Sequence, residues 1–454
     1  MTTSTNRTLP KDEQGKLVGA DRHVMHSNVR GDDTRRTVIV QAQGCQLWDT
    51  EGRRYLDATA GLALTQVGHG RRELGEAAAA QMAKLEYYHT RWGFTNDRAI
   101  ELAARLTELA PDGLDHVYFT SGGAEGNEIA LRMARFYRHR TGQPDRTWIL
   151  ALDKGFHGIS YGASSMSGGS EAHIGFGPML PHIRFLTTPD TFHRAAFDGE
   201  DVTEFCLREL RETIEEIGPE RITAMIGEPV LGPGGMIVPP DDYWPRVAAL
   251  LRSYGILLIS DEIVTAFGRL GHWFAAERTG VTPDILVTAK GITSGYIPHG
   301  AVMVSGEIAE AVGKDDGFPV GFTYSGHATA CAVALANLDI IAREDLLGNA
   351  VKVGSHLADR LRELLDLPTV ADVRQIGLMV CVQLVSDKET RAPLPNGTGA
   401  LTDELRDGFG VLVRGMPSGV MLVPPLVLSR EEADEAAGAL REVLSRMTPD
   451  GLLM

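Results

Sequence analysis

The chain has 454 residues, and 43% of them are hydrophobic, which is enough for a large buried core and two packed domains. Its formal net charge of −16 argues against nucleic acids and anionic membranes as partners. The four cysteines form no C-x-x-C pair and no cluster with histidine, so neither a metal site nor a disulfide framework is expected.

The N-terminal segment predicts a short antiparallel unit. Residues 1 to about 20 are polar, with no hydrophobic stretch of the signal-peptide type. No run in the chain reaches the length of a membrane span, so a cytoplasmic location is expected. Three strand-like runs then follow, with Glu51 and Gly52 as a turn, at 37–40, 45–49 and 54–57.

Strands and helices alternate from about residue 75 to 320. Asn96 is placed to cap a helix that runs to Leu109. Further helices are predicted at 128–138, 204–217 and 242–253. The strands are rich in Val, Ile and Leu without alternation, which is typical of parallel strands buried on both faces. They are predicted near 116–120, 147–152, 222–227, 256–260, 285–289 and 301–304.

The C-terminal part predicts a small α/β unit. Its elements are helices at 328–341, 349–365 and 430–447, and strands near 378–384, 411–413 and 420–423. The whole pattern indicates an α/β protein. The predicted division is a large domain, 71–327, and a small discontinuous domain that combines 1–70 with 328–454.

Three chemical groups follow predicted strands directly. Residues 121–125 form a glycine-rich turn before a helix, where backbone N–H groups can bind a phosphate. Asp261 and Lys290 each end an apolar run. Taken singly, the aspartate could be a helix cap and the lysine a surface residue. Together they are the three groups that pyridoxal phosphate needs, for its phosphate, its ring nitrogen and its aldehyde. The chain lacks G-x-G-x-x-G and G-x-x-x-x-G-K-[ST], which argues against dinucleotide and nucleoside triphosphate sites.

Four segments match the motifs of one enzyme family: 261–271 (DEIVTAFGRLG), 289–302, 322–332, and 411–414 with 423–426. From about residue 44 to 428, the chain therefore resembles the class III aminotransferases, the ω-transaminase group of fold-type I pyridoxal-phosphate enzymes. The resemblance implies a large domain with a mainly parallel central sheet. It also implies a homodimer in which Thr323 completes the phosphate site of the partner.

The resemblance extends the predicted cofactor site around an internal aldimine between pyridoxal 5'-phosphate and Lys290. Asp261 and Lys290 are the expected catalytic residues. The ring is expected between Phe156 and Ile263, since an aromatic and a branched apolar side chain can pack on its two faces. The full set of expected cofactor-binding residues is Gly123, Ala124, Phe156, His157, Glu228, Asp261, Ile263, Lys290 and Thr323.

Departures from related sequences bear on the substrate. Ile159 and Pro233 stand where relatives acting on γ-aminobutyrate or ornithine carry an arginine and a glutamate. Arg414 is therefore expected to be unpaired and to bind the carboxylate of a keto acid, as in pyruvate-dependent ω-transaminases. Ala63 replaces a tryptophan of many such relatives, which predicts a wider pocket. The expected substrate-binding residues are Arg414, Trp92, Ala63 and Phe322, and Arg91 could bind a second anionic group.

The predicted function is ping-pong transamination, with an amino group moving from an amine or ω-amino acid to a keto acid, pyruvate being expected, or the reverse. A pyridoxal-phosphate aminomutase or a decarboxylating transaminase is the alternative within the same cofactor chemistry. A protein of this fold that only binds a ligand is a third reading. The intact pair of Lys290 and Asp261 argues against it.

Overall fold

The computed structural model describes residues 9–28, 36–169 and 173–454. The strands are β1 (Ile39–Gln43), β2 (Gln46–Asp49), β3 (Arg54–Asp57), β4 (Leu114–Thr120), β5 (Trp148–Leu152), β6 (Ile183–Leu186), β7 (Ile222–Gly227), β8 (Leu257–Asp261), β9 (Ile285–Thr288), β10 (Gly300–Ser305), β11 (Val370–Ile376), β12 (Met379–Leu384), β13 (Val411–Leu412), β14 (Arg414–Met416) and β15 (Gly419–Leu422). The helices are α1 (Lys11–Ala20), α2 (Ala60–Ala63), α3 (Arg72–Leu85), α4 (Asp97–Leu109), α5 (Gly123–Arg140), α6 (Tyr161–Met166), α7 (Val202–Ile217), α8 (Tyr243–Ser253), α9 (Ala275–Thr279), α10 (Gly306–Gly313), α11 (Ala328–Arg343), α12 (Leu346–Arg362), α13 (Gly399–Glu404) and α14 (Arg430–Ser445). Within the described ranges, no helix is long and apolar enough to cross a membrane.

A seven-stranded sheet forms the centre of the large domain, in the order β4-β10-β9-β8-β7-β5-β6. Strands β5 to β9 pair in parallel, which confirms the mainly parallel sheet. The exception is β10, which runs antiparallel to both β4 and β9. The cause is the short connection at 289–299: a parallel return needs a helical crossover, whereas an antiparallel return needs only a turn.

Three strands are absent from the sequence prediction. Strand β6 has four residues including an arginine and, within the described ranges, pairs only with β5, at the edge of the sheet. Strand β11 includes two charged residues and has both buried and half-buried side chains. Strand β14 has three residues. Each is too short or too polar to give an apolar run, and each is held by its pairing with a neighbouring strand.

Two smaller sheets lie outside the central one, in the orders β1-β2-β3-β13 and β11-β12-β15-β14. The first contains the predicted antiparallel unit and joins it to the C-terminal part, because β13 pairs in parallel with β3. This pairing is the contact expected if both ends of the chain share one domain. The boundaries at 70 and 327 remain predictions, and parts of the first segment, 1–8 and 29–35, lie outside the described residues.

Local packing explains how α4 and α5 sit on the sheet. The side chain of Asn96 accepts the N–H of Ala99, which confirms the predicted cap of α4. Helix α5 approaches β9 closely at Gly126, where an added Cβ would lie 2.7 Å from Cγ1 of Val287. Glycine is required there, and the close approach brings the start of α5 to the carboxyl end of β9.

Candidate active site

The three groups predicted at strand ends lie at the same end of the central sheet, the edge formed by the carboxyl ends of its parallel strands. Asp261 is the last residue of β8, and Lys290 follows β9, its neighbour, after one residue. The glycine turn follows β4, which has the same direction as β9 because β10 runs antiparallel to both. This edge, where the carboxyl ends of the strands meet, is the usual place for ligands in open α/β sheets.

Lys290 is half-buried in a tight turn, with a backbone φ of 47°. Burial lowers the pKa of its ammonium group to about 8, although the carboxylates of Asp261 and Glu228 act in the opposite direction. Within the described residues, its Nζ has no hydrogen-bond or ion-pair partner. A substantial fraction of this amine is therefore neutral near physiological pH, as a nucleophile requires.

Asp261 is buried, and its carboxylate is the acceptor in each of its hydrogen bonds. Its Oδ2 accepts the amide of Asn127 and Nδ1 of His157, both at 2.7 Å. Its Oδ1 accepts the backbone N–H of Ile263 at 3.1 Å. The imidazole must donate from Nδ1, because a carboxylate can only accept. Oδ1 keeps lone pairs for a further donor.

The turn before α5 has the features of a phosphate site. The helix begins at Gly123 with no side-chain cap, so its first N–H groups lack an internal partner. A Cβ on Gly123 would lie 2.6 Å from Cδ1 of Ile263, so the side chain of Ile263 covers this turn. Ala124 packs equally tightly against Gly158, because a Cβ added to Gly158 would lie 2.7 Å from the Cβ of Ala124. The hydroxyl of Ser121 is buried without a partner in the described part of the chain.

Glu228 is buried and clamps two backbone segments. Its Oε1 accepts the N–H of Phe156 at 2.9 Å, and its Oε2 accepts that of Gly232 at 3.1 Å. Burial, and then repulsion from Asp261, raise the pKa of Glu228 to about 7. The backbone of Phe156 is thereby fixed, whereas its ring remains accessible, since the residue is 43% exposed.

The substrate-side residues come from several parts of the chain. Arg414 is half-buried in β14 and has no ion-pair partner among the described residues; burial lowers its pKa, and the charge of Glu228 opposes this effect. Ala63 is buried with a φ of 61°. Trp92 is 80% exposed beneath the guanidinium of Arg91, which lies 5.1 Å from its ring centroid.

Phe322 and Thr323 lie on the segment before α11. Phe322 is partly buried against the apolar core cluster that includes side chains of α5 and of the central sheet, whereas Thr323 is exposed. The carbonyl of Thr323 accepts the hydroxyl of Tyr87 at 2.6 Å. In a single chain, Thr323 is therefore held by its backbone while its side chain is free to contact another molecule.

The residues present fit pyridoxal phosphate. They offer uncapped N–H groups and an orphaned buried hydroxyl for a phosphate, a free acceptor site on Asp261, and an unpartnered amine at Lys290. Sequence reasoning missed Asn127, which holds Asp261 and also donates to the carbonyl of His157 at 2.8 Å. Only its place one turn into the helix after the glycine turn could have suggested it.

Comparison with known proteins gives the same class of enzyme. Residues 27–444 match the class III aminotransferase family. The chain is 36% identical to the putrescine–pyruvate aminotransferase of Pseudomonas aeruginosa over 412 residues, 90% of each protein. It superposes with a TM-score of 0.90 and 44% identity on an (S)-enantioselective omega-transaminase from Thermomicrobium roseum, covering 96% of this chain and 98% of the other.

A third similar protein was solved with its cofactor. It is an amine transaminase from an uncultivated Pseudomonas species in the pyridoxal-phosphate-bound, internal-aldimine form, with a TM-score of 0.88, 43% identity, and coverage of 92% of this chain and 96% of the other. The chain belongs to the class III aminotransferase family. It is a pyridoxal-phosphate-dependent aminotransferase of fold type I, and its relatives support the pyruvate-dependent ω-transaminase subgroup.

Proposed function

We propose that the enzyme moves an amino group from a primary amine or ω-amino acid to pyruvate in two successive half-reactions. The observation that carries this proposal is the position of Lys290, a half-buried amine of lowered pKa on the same sheet edge as Asp261. The unpaired Arg414, electrostatically coupled to Lys290, supplies a site for the carboxylate of a keto acid.

Lys290 would bind the cofactor's aldehyde through Nζ. Asp261 would accept the N–H of the ring nitrogen, and His157 and Asn127 hold that carboxylate in place. The N–H groups of Gly123 and Ala124 would bind the phosphate. Phe156 and Ile263 would pack on the ring, and Glu228 fixes the backbone of Phe156.

Pyridoxal phosphate, when bound, supplies an electron sink for the charge left on the amine-bearing carbon. Lys290 provides the proton transfer. With the cofactor and substrate bound, its Nζ would take the proton from that carbon and later return one, as general base and then general acid. The lowered pKa suits both roles, because each protonation state is accessible near pH 8.

Arg414 distinguishes the two substrates. Its guanidinium can form a bidentate pair with the keto acid's carboxylate. Because no carboxylate among the described residues holds it, it is free to turn aside for an apolar amine. Ala63, Trp92 and Phe322 form the apolar walls of the substrate pocket. The small side chain of Ala63 leaves more room there for a substrate.

The proposal includes a homodimer with shared sites and a cytoplasmic location. Thr323 is exposed in the single chain and is assigned to the partner's phosphate. Aromatic side chains exposed by more than half support an interface; they are Trp92, Phe94, Tyr161, Phe176 and Tyr324. The four cysteines are free and buried, which suits a reducing compartment.

The test is a cofactor cycle followed by absorbance. The purified protein with pyridoxal phosphate should show the visible band of the attached cofactor, which an amine should bleach and pyruvate should restore. Borohydride reduction and peptide mapping should place the cofactor on Lys290, and Lys290→Ala should lose the band and all turnover. A matched control is Lys388→Ala, an exposed lysine whose Nζ donates to the carbonyl of Leu365. A cofactor attached elsewhere, or a band that no amine bleaches, would contradict the proposal.

A further inference from the structure

The turn that carries Lys290 contains two residues in the left-handed region of backbone space. Lys290 has a φ of 47° and Ser294 a φ of 52°. Residues with a side chain are rare there, because Cβ crowds the backbone, and the conformation persists only where surrounding contacts impose it.

The buried amide of Asn337 holds this turn from the helix beneath it. Its Nδ2 donates to the carbonyls of Gly291 and Ile292, at 2.8 and 3.1 Å. Its Oδ1 accepts the hydroxyl of Ser294 at 2.6 Å, and that hydroxyl accepts the N–H of Val67 at 3.2 Å. One side chain of α11 thus fixes three residues of the catalytic turn, Gly291, Ile292 and Ser294.

Asn337 is fully buried on a helix whose other buried positions are nearly all small or apolar. A leucine would satisfy the packing of such a position, so the amide calls for a different explanation. The opposite side of the turn is closed by Gln66, since a Cβ on Gly291 would lie 2.8 Å from its Nε2. Arg269 holds Gln66 in turn through Oε1. The turn therefore cannot relax toward Gln66, and Asn337 supplies the hydrogen bonds that fix it.

We propose that Asn337 is a positioning residue for Lys290, which it holds through the strained turn without touching substrate or cofactor. This inference rests on the proposed function, in which Nζ of Lys290 attaches the cofactor and moves the proton. Proton transfer depends steeply on geometry, and a displacement of about 1 Å can cost about a hundredfold in rate. Relaxation of the turn would also move Nζ toward water.

The test compares Asn337→Ala and Ser294→Ala with a matched control, Asn349→Ala. Asn349 lies on α12 and also donates to two carbonyls, those of Leu426 and Leu428, at 2.6 and 3.1 Å. Reductive methylation of Lys290 in the cofactor-free protein, followed by mass spectrometry across pH, reports the environment of Nζ without any turnover. Steady-state kinetics of the loaded enzyme then separates kcat from KM.

Removal of Asn337 or of the Ser294 hydroxyl should raise the pH midpoint of Lys290 methylation by about half a unit or more, because Nζ gains water. It should also lower kcat about 10- to 100-fold, with KM for pyruvate changed less than about threefold. Asn349→Ala should change neither, even with a similar loss of thermal stability.

An unchanged methylation midpoint, together with a kcat loss no larger than that of Asn349→Ala, would overturn the role of Asn337. Ser294→Ala decides the matter if Asn337→Ala does not fold. Failure of the proposed function would look different, because the wild-type protein itself would then show no borohydride-reducible link between Lys290 and pyridoxal phosphate.

Discussion

His157 donates from Nδ1 to Oδ2 of Asp261 over 2.7 Å, in a part of the site where both side chains are buried. The other ring nitrogen, Nε2, has no partner in the described part of the chain. In each of these hydrogen bonds the carboxylate of Asp261 is the acceptor and its partner is the donor. The geometry thus ties the orientation of Asp261 to His157, which was expected among the cofactor-binding residues.

Substitution of His157 should weaken the cofactor site. His157→Phe removes a donor from a buried carboxylate, and a hydrogen bond to a charged group contributes about 1.5–3 kcal/mol. The Kd of pyridoxal phosphate, measured by equilibrium dialysis, should therefore rise about 10- to 100-fold. His193→Phe is the matched control. Nδ1 of His193 lies 2.8 Å from Oδ2 of Asp190, and this pair is not part of the catalytic turn. Equal effects of the two substitutions would argue against a role for His157 at the cofactor.

Arg414 should affect one substrate far more than the other. In Arg414→Ala, KM for pyruvate should rise about 10- to 100-fold, since a charge-assisted pair is lost. KM for an arylalkyl amine without a carboxylate should change less than about threefold, because an apolar amine gains nothing from the guanidinium. Arg414→Lys should recover part of the pyruvate effect through its charge alone. A uniform change in both KM values would contradict the proposed carboxylate site.

The reactivity of Lys290 should depend on pH in a defined direction. Its pKa of about 8 lies below the usual value for lysine, so its amine gains reactivity as pH rises and levels off above about pH 8. Reductive methylation of the cofactor-free protein, quantified for the Lys290 peptide, measures this directly. The exposed lysines of the same digest provide the comparison. A Lys290 profile that continues to rise alongside theirs would show that burial does not control this amine.

Ala63 should set the size limit of the pocket. Ala63→Trp is expected to slow bulky amines at least about tenfold more than small ones, as one extra group in an apolar pocket is worth about 1–3 kcal/mol. The backbone φ of 61° at this position strains any side chain. Ala63→Gly is therefore the matched control, relieving the backbone while keeping the space. Equal slowing of large and small amines by tryptophan would contradict the wider pocket.

The sequence predicted where three groups of the candidate site stand relative to the strands. Lys290, Asp261 and the turn at Gly123 were each predicted at the end of a strand, and the structure places them on one edge of the sheet. Such groups are visible in a sequence because an apolar run and the polar residue that ends it are adjacent in the chain.

The sequence could not predict the supports of the site. Nothing near Asn337 in the sequence indicates that it reaches the Lys290 turn. For Asn127, which reaches Asp261, the one signal is its place one turn after the glycine turn. The direction of β10 lay outside the prediction for a related reason. An apolar run predicts a strand but not its direction, which here follows from the length of the connection before it.

The short return from β9 to β10 also limits how the enzyme can change. Residues 289–299 join two paired strands, and β10 is also paired along its other side with β4. An insertion or deletion that shifted the register by one residue would turn every side chain of β10 to the opposite face of the sheet. Variation in chain length is therefore poorly tolerated beside Lys290. New specificities are more readily obtained from segments outside the sheet, such as those that carry Ala63 and Trp92.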